Sequence, residues 1–311
     1  MKHLLSITDL TRRDILDILG IAEKLKKRLR KTGKNKPLLK GKTLIMIYEK
    51  PSLRTHASFD IGMFQLGGHA LYFGPEHIGL GVREPVEHAA KVLSSMGSAI
   101  MARVFAHDTV AELARYSKVP VINGLSDLEH PCQILADIMT MVEYKRSLHR
   151  IRVAFVGDGN NNVTHSLALV CGLLGMHIVV ASPKGYAMSA AVSAKARSLA
   201  VKYGGSVTET QNPESAVKGA DVVYTDTWVS MGAEKEKAKR LKAFRRYQVN
   251  EKLMSLAKPD ALFMHDMPAY LGNEVTKEVF DSKQSVVYDQ AENRLHAQKG
   301  LLVFLMKGKK S

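Results

Sequence analysis

The sequence has little cysteine, one tryptophan and no long apolar run, and each shortage removes a class of protein. Two cysteines, Cys132 and Cys171, cannot make a disulfide framework. Free thiols in a chain of 311 residues point to a reducing, cytoplasmic setting. The longest apolar stretch, Leu167 to Ala181, holds His177 and two glycines. It falls short of the ~20 residues needed to cross a bilayer, so no membrane partner is expected. The opening MKHLLSITDLTRRD turns polar after a very short apolar patch, unlike a signal peptide. Missing as well are a Gly-x-x-x-x-Gly-Lys phosphate loop and a nucleophile elbow with its Ser–His–Asp order.

What is present in excess is positive charge, +15 in all. Lys24 to Lys42 carries ten basic residues and no acid, and Lys235 to Arg246 carries seven basic residues and one acid. These two clusters account for the whole surplus. Neither is interleaved with aromatics as in a single-strand binder, so both read as solvated faces and no nucleic-acid partner is expected. The surplus can still raise the local concentration of small anions.

The rest of the pattern is globular, at 45% apolar and 24% charged, and the length suits two domains. Residues 11 to 31 read as an amphipathic helix with Ile15, Ile18, Leu19, Ala22 and Leu25 on one face and Gly33 as the stop. Short apolar strands then alternate with helical stretches. They are Leu44 to Tyr48, Ala99 to Val104, Val119 to Ile122, Ile151 to Val156, His177 to Ala181, Asp221 to Tyr224, Leu262 to Met264 and Ser285 to Tyr288. This alternation predicts an α/β fold of two doubly wound domains, each a parallel sheet flanked by helices. A break near 140–150 divides them. The expected domains are 1–145, completed by a C-terminal helix at 293–311, and 146–292.

In such folds ligands bind beyond the carboxyl ends of strands, and the chemically telling residues follow the strands. After the first come Ser52, Leu53, Arg54, Thr55 and His56 at a helix start. Ser52 is placed to cap the helix, and the free N–H groups there, two hydroxyls and a guanidinium suit a phosphate dianion. Arg103 ends another apolar run. His130, Pro131, Cys132 and Gln133 open a helix, with Pro131 in its first turn and His130 and Gln133 as a donor pair. Gly157-Asp158-Gly159-Asn160-Asn161-Asn162 lacks the third glycine of a dinucleotide loop, so no nucleotide cofactor is expected, and its amides suit a small polar molecule. Asp226 to Gly232 reads as a lid carrying an acid for an ammonium group. His265-Asp266-Met267-Pro268 adds a second acid, and Glu292-Asn293-Arg294-Leu295-His296 opens the last helix. His130, His265, His296, Asp226 and Asp266 have no metal-ligand spacing, so no metal is expected. Cations and donors in one half, with acids and amides in the other, suit joining a phosphorylated electrophile to an amine.

Together these segments resemble the aspartate/ornithine carbamoyltransferase family over about Leu5 to Met306. Ser52-Leu53-Arg54-Thr55-His56 is similar to its Ser-Thr-Arg-Thr-Arg motif, and His130-Pro131-Cys132-Gln133 to its His-Pro-x-Gln motif. Asp226 with Ser230-Met231-Gly232 resembles the loop that marks ornithine as acceptor, and Ala291 to His296 the C-terminal signature. The resemblance implies transfer of a carbamoyl group from carbamoyl phosphate to the δ-amine of L-ornithine, giving citrulline and phosphate, in arginine biosynthesis. The alternatives are another amine acceptor or a catalytically silent member. It implies no cofactor or metal, and a homotrimer or multiple of trimers.

Carried over, carbamoyl phosphate meets Ser52, Leu53, Arg54, Thr55, Arg103, His130, Pro131, Cys132, Gln133, Asp266, Met267 and Arg294, while ornithine meets Asn162, Asp226, Ser230 and Met231. Arg103, His130 and Asp266 are the implied catalytic residues. Thr55, Arg103 and His130 aim donors at the carbonyl oxygen, worth about 3–4 kcal/mol each as it becomes an oxyanion. Three positions depart from the family pattern. His56 replaces an arginine, Asp266 a cysteine, and Gly79 a glutamine for which Arg83 is the nearest substitute.

Overall fold

The computed structural model describes residues 2–229 and 234–307. The chain forms two compact units, Met1–Met139 with Glu292–Ser311, and Thr140–Ala291. The divisions fall six residues before the expected 145/146 boundary and one before 292/293.

In the first unit the strands are β1 (Thr43–Tyr48), β2 (His69–Phe73), β3 (Ala99–Arg103) and β4 (Val121–Leu125), all parallel in the order β2-β1-β3-β4. Helices α1 (Arg12–Thr32), α2 (Leu53–Gln65), α3 (Val86–Met96) and α4 (His107–Tyr116) alternate with them, and α5 (Pro131–Lys145) follows β4. Helix α1 begins and ends one residue later than the expected 11–31. Thr11 caps it by accepting from the Asp14 N–H, and Gly33 closes it with φ 69°, a left-handed turn that costs glycine nothing. Its apolar stripe, Ile15, Ile18, Leu19, Ala22 and Leu25, is buried as predicted.

The second unit carries β5 (Arg152–Val156), β6 (His177–Ala181), β7 (Ser206–Thr210), β8 (Val222–Tyr224) and β9 (Leu262–Met264), parallel in the order β7-β6-β5-β8-β9. Its longer helices are α6 (Asn162–Leu174), α7 (Ala190–Tyr203) and α8 (Lys237–Phe244); α9 (Val287–Lys307) then starts in the second unit and ends in the first. Strand centres are buried on both faces, as parallel sheets require, with Ile47, Ile100 and Ala102 in one core and Ala154, Val156 and Val223 in the other.

The expected fold class holds, with one strand wrong and two missing. Ser285 makes a single bridge to Phe263, but Val287 already opens α9. The run Ala291-Glu292-Asn293-Arg294-Leu295 is helix-forming and draws Val287 and Tyr288 into the helix. Strands β2 and β7 lie at sheet edges and are partly exposed, so they lack the continuous apolar run that marks a buried strand. Among the described residues no helix is long and apolar enough to cross a membrane.

Candidate active site

Each sheet has a point where successive strands leave to opposite sides, and both polar clusters sit at such points. In the first unit it falls between β1 and β3. Tyr48 and Arg103 are register partners at the ends of these strands. A register shift between Ala102 and Arg103 in the pairing with β4 kinks the strand where Arg103 leaves the sheet. Arg103 is buried.

Past β1, Ser52 caps α2, its hydroxyl accepting from the Thr55 N–H. Leu53 is the first helical residue and its side chain is 79% exposed, so what it offers a ligand is backbone. Arg54 is half-buried and Thr55 fully buried. On the first turn of α5 stands Gln133, next to buried His130 and Cys132. Arg294, on α9, joins these segments: its Nη1 donates to Gln133 Oε1 at 2.6 Å and its Nη2 to Thr55 Oγ1 at 3.0 Å. Gln133 is itself held, its Nε2 donating to Asp137 at 2.8 Å. Thus Thr55, Gln133 and Arg294, far apart in sequence, form one buried chain of hydrogen bonds.

The electrostatics of this cluster are one-sided. Burial, then the positive charges of Arg294, Arg103, Lys50 and Arg54, pushes the His130 imidazole well below its ordinary value, so it is neutral and can donate without carrying charge. The Cys132 thiol is pushed up to about 12 by burial and donates to the Asn123 carbonyl at 3.3 Å. It is an inert packing group, and only its backbone is left for a ligand. His56, the departure from the phosphate motif, stacks on Tyr72 with ring centroids 4.6 Å apart.

Sequence reasoning passed over Lys50. It is buried, with its Nζ 4.8 Å from the Phe105 ring centroid. A lysine between a strand and a proline reads as solvated, and nothing local signals otherwise.

In the second unit the switch falls between β5 and β8. Asn161 caps α6, its Oδ1 accepting from the N–H groups of Val163 and Thr164, while its Nδ2 donates to Asp226 Oδ2 at 2.5 Å. Asp226 also accepts from the Thr227 N–H at 2.6 Å. The amide that orients Asp226 is therefore Asn161, missed from sequence; Asn162, the expected ligand, is the adjoining half-buried first residue of α6. Ser230 and Met231 lie outside the described residues.

The loop before them is anchored. Trp228 stacks on Phe244, with centroids 5.9 Å apart and planes at 20°. Arg240 Nη1 donates to Asp158 Oδ2 at 2.6 Å and to the Trp228 carbonyl at 3.0 Å. At least this member of the second basic cluster is an internal clamp and not part of a solvated face. Burial pushes the Asp158 carboxyl up from its usual range, against the pull of Arg240.

Beyond β9, buried His265 accepts from the Met267 N–H at Nδ1 (2.9 Å), which leaves Nε2 as the donor to Glu274 Oε1 at 3.2 Å. The Met267–Pro268 peptide is cis. Asp266 is half-buried beside His265 and Asp226, the three offering ligand atoms within 4.8 Å of one another. The spacing that spoke against a metal did not foresee this grouping. The donor set nonetheless fits a metal poorly, since both imidazole nitrogens already have partners.

Two parallel α/β units, each with a polar cluster at its switch point, define the class of protein. The chain belongs to the aspartate/ornithine carbamoyltransferase family. Residues 2–143 match that family's carbamoyl-P binding domain and 149–305 its Asp/Orn binding domain. Among its relatives, an ornithine carbamoyltransferase from Archaeoglobus fulgidus is 49% identical over 311 residues, covering 100% of this chain and 99% of the relative. The structure is similar to that of ornithine carbamoyltransferase from Pyrococcus furiosus, with TM-score 0.95, 50% identity, and 99% and 98% of the two chains covered. It is also similar to an anabolic ornithine carbamoyltransferase from Campylobacter jejuni, with TM-score 0.93, 41% identity, and 98% and 99% covered.

Proposed function

We propose that this protein is an ornithine carbamoyltransferase, moving the carbamoyl group of carbamoyl phosphate to the δ-amine of L-ornithine with release of citrulline and phosphate. The observation that carries this reading is the buried Thr55–Gln133–Arg294 chain with neutral His130 beside it. With its oxygen accepting from Arg294, the Thr55 hydroxyl keeps its own proton to donate, and with the neutral His130 imidazole it suits a carbonyl joined to a dianion.

The donor belongs to the first unit. Its phosphate takes Arg54, Arg103, the Ser52 and Thr55 hydroxyls and the backbone N–H groups from Leu53 onward. Its carbonyl oxygen takes Thr55, Arg103 and His130, with Arg294 and Gln133 holding the array. Pro131 and Cys132 contribute through the backbone. As the neutral amine attacks, negative charge grows on that oxygen, and fixed donors there stabilise the transition state more than the ground state. The C–N bond forms as the C–O bond to phosphate breaks, and the phosphate takes the amine's proton. No side chain acts as a nucleophile.

The acceptor belongs to the second unit, with its ammonium on Asp226, oriented by Asn161, and its carboxylate on Asn162 and the Ser230–Met231 segment. Asp266 accepts from the reacting amine, and the Met267 backbone completes that edge. The assembly is a homotrimer or multiple of trimers in the cytoplasm, and the role is anabolic, in arginine synthesis, as the names of its relatives suggest. Incubation with carbamoyl phosphate and a panel of L-ornithine, putrescine and L-lysine tests the reading. Ureido product is expected from L-ornithine. Preference for another amine, or no product at all, would overturn it.

A further inference from the structure

Helices α2 and α9 each supply one end of the Thr55–Arg294 bond, so that bond depends on how far along one another the two helices are set. They meet closely at Gly62. A methyl group added there would lie 3.3 Å from Lys299 Cγ, 3.8 Å from Leu295 Cδ1 and 4.0 Å from Leu302 Cδ1, three residues on one stripe of α9. Apolar burial holds such a contact together but is non-directional, so it does not by itself fix the register.

Lys299 adds the directed contact. It is fully buried, and its Nζ donates to Gln65 Oε1, at the end of α2, at 2.6 Å and to Asn35 Oδ1, in the loop after α1, at 2.9 Å. Asn35 is tied in turn, its Nδ2 donating to the Leu25 carbonyl at 2.9 Å. Lys299 forms no ion pair with any described residue. The acid within electrostatic reach is Glu292, whose carboxylate accepts from Arg30 and His296. Burial outweighs that attraction and brings the Lys299 ammonium down to about 8, so holding the charge here is unfavourable. A buried cation in this position contributes little to stability, and an apolar side chain of the same shape could replace it at no loss. What the ammonium provides is geometry, because it must stay where both amide oxygens reach it.

We propose that Lys299 is a positioning residue for the transfer reaction: it fixes the register of α9 on α2 and so brings the Arg294 fork to Thr55. This rests on the reading of the first unit as the carbamoyl phosphate site. Lys299 itself touches no substrate. It sits five residues beyond Arg294 on α9, and Gln65 sits ten beyond Thr55 on α2, so the two polar contacts pin the same pair of helices at separate points.

Lys299→Met keeps the stem against Gly62 and removes both bonds. In a protein shown by its thermal melt to be folded, kcat/KM for carbamoyl phosphate should fall at least about tenfold, with KM for ornithine within about twofold. Combined with Arg294→Lys, it should cost no more than about threefold beyond Arg294→Lys alone, because both changes break one array. Gln65→Leu should reproduce the loss, while Gln65→Glu, which keeps an acceptor for the ammonium, should stay within about threefold of the parent. Parent-like kcat/KM in folded Lys299→Met, full multiplication of the two losses in the double variant, or equal loss in Gln65→Leu and Gln65→Glu overturns the assignment. Gln65 is only half-buried, so the pair at that position decides the question even if Lys299→Met does not fold. Calorimetric titration with inorganic phosphate separates this proposal from the proposed activity. If no amine gives ureido product but Lys299→Met binds phosphate at least about tenfold more weakly than the parent, the activity falls and the positioning role stands. If citrulline forms and Lys299→Met matches the parent in both assays, only Lys299 loses its role. No product and unchanged phosphate binding would overturn both.

Discussion

Replacing Arg294 by lysine keeps the positive charge and removes the fork. In the protein one guanidinium nitrogen holds Gln133 at 2.6 Å and the other holds Thr55 at 3.0 Å, with the side chain 3% exposed. A lysine ammonium is a single point on a flexible stem and satisfies one of these acceptors at best. One charge-assisted bond is lost and one buried oxygen is left without its donor, together about 2–4 kcal/mol. If Thr55 and Gln133 must be held in place to meet the donor, the loss appears in kcat/KM for carbamoyl phosphate, a fall of roughly 30- to 1000-fold. The assay is citrulline formation at saturating ornithine with carbamoyl phosphate varied, beside a thermal melt. The KM for ornithine should stay within about twofold, because its proposed ligands lie in the other unit. A folded Arg294→Lys protein that loses less than about threefold in kcat/KM would refute the idea that this fork sets the donor array.

Three further outcomes are expected. Asp226→Asn removes the charge and sets an amide against the Asn161 donor, so KM for ornithine should rise at least about tenfold while that for carbamoyl phosphate holds; equal weakening of both would contradict the division between units. His130 should show no NMR titration between pH 8 and 6, since burial and nearby cations keep its imidazole neutral well below the ordinary 6.5; a midpoint near 6.5 would contradict this. Asp14 gives a stability signature in acid. Desolvation pushes its carboxyl up, but bonds from Lys2 and Thr11 outweigh that and hold it at about 2 against an ordinary 3.8. Its folded-state value is depressed, so its contribution is present above pH 3.8 and is lost as pH falls through about 2, amounting to ~1–2 kcal/mol after allowance for the exposed Lys2. Asp14→Ala should lower stability at pH 6 and lose that difference at pH 2, and an equal deficit at both pH values would refute the linkage.

Much of the fold was legible because parallel sheets are written as apolar runs. β6 falls on the expected residues His177 to Ala181, and β1, β3, β5, β8 and β9 lie within one residue of expectation at each end. Edge strands escaped because exposure dilutes that signal, as in His69–Phe73 and Ser206–Thr210. The polar segments after β1, β3, β4, β5, β8 and β9 were readable because ligands gather where strands end. Long-range partnerships were not readable. Arg240 looked like one solvated cation among seven, yet it grips Asp158 from 82 positions away. Asn161 and Asn162 are indistinguishable in a row of three amides, and only the cap of α6 decides which one turns to Asp226. Lys50 escaped for the same reason, because burial without a partner leaves no mark in the sequence.

The first unit is discontinuous, since α9 brings Arg294 back across 161 and 239 positions to Gln133 and Thr55. The same helix supplies Asn293 to buried Lys26, and Lys299 to Asn35 and Gln65. A ribosome therefore releases the whole second unit before the first can close its loops, and such distant closures are slow. In the interval Lys26, Thr55 and Gln133 lack the contacts that α9 supplies. The nascent first unit is then the species most exposed to chaperones and proteases, and substitutions in α9 would cut the yield of folded protein more sharply than equally buried changes in the second unit.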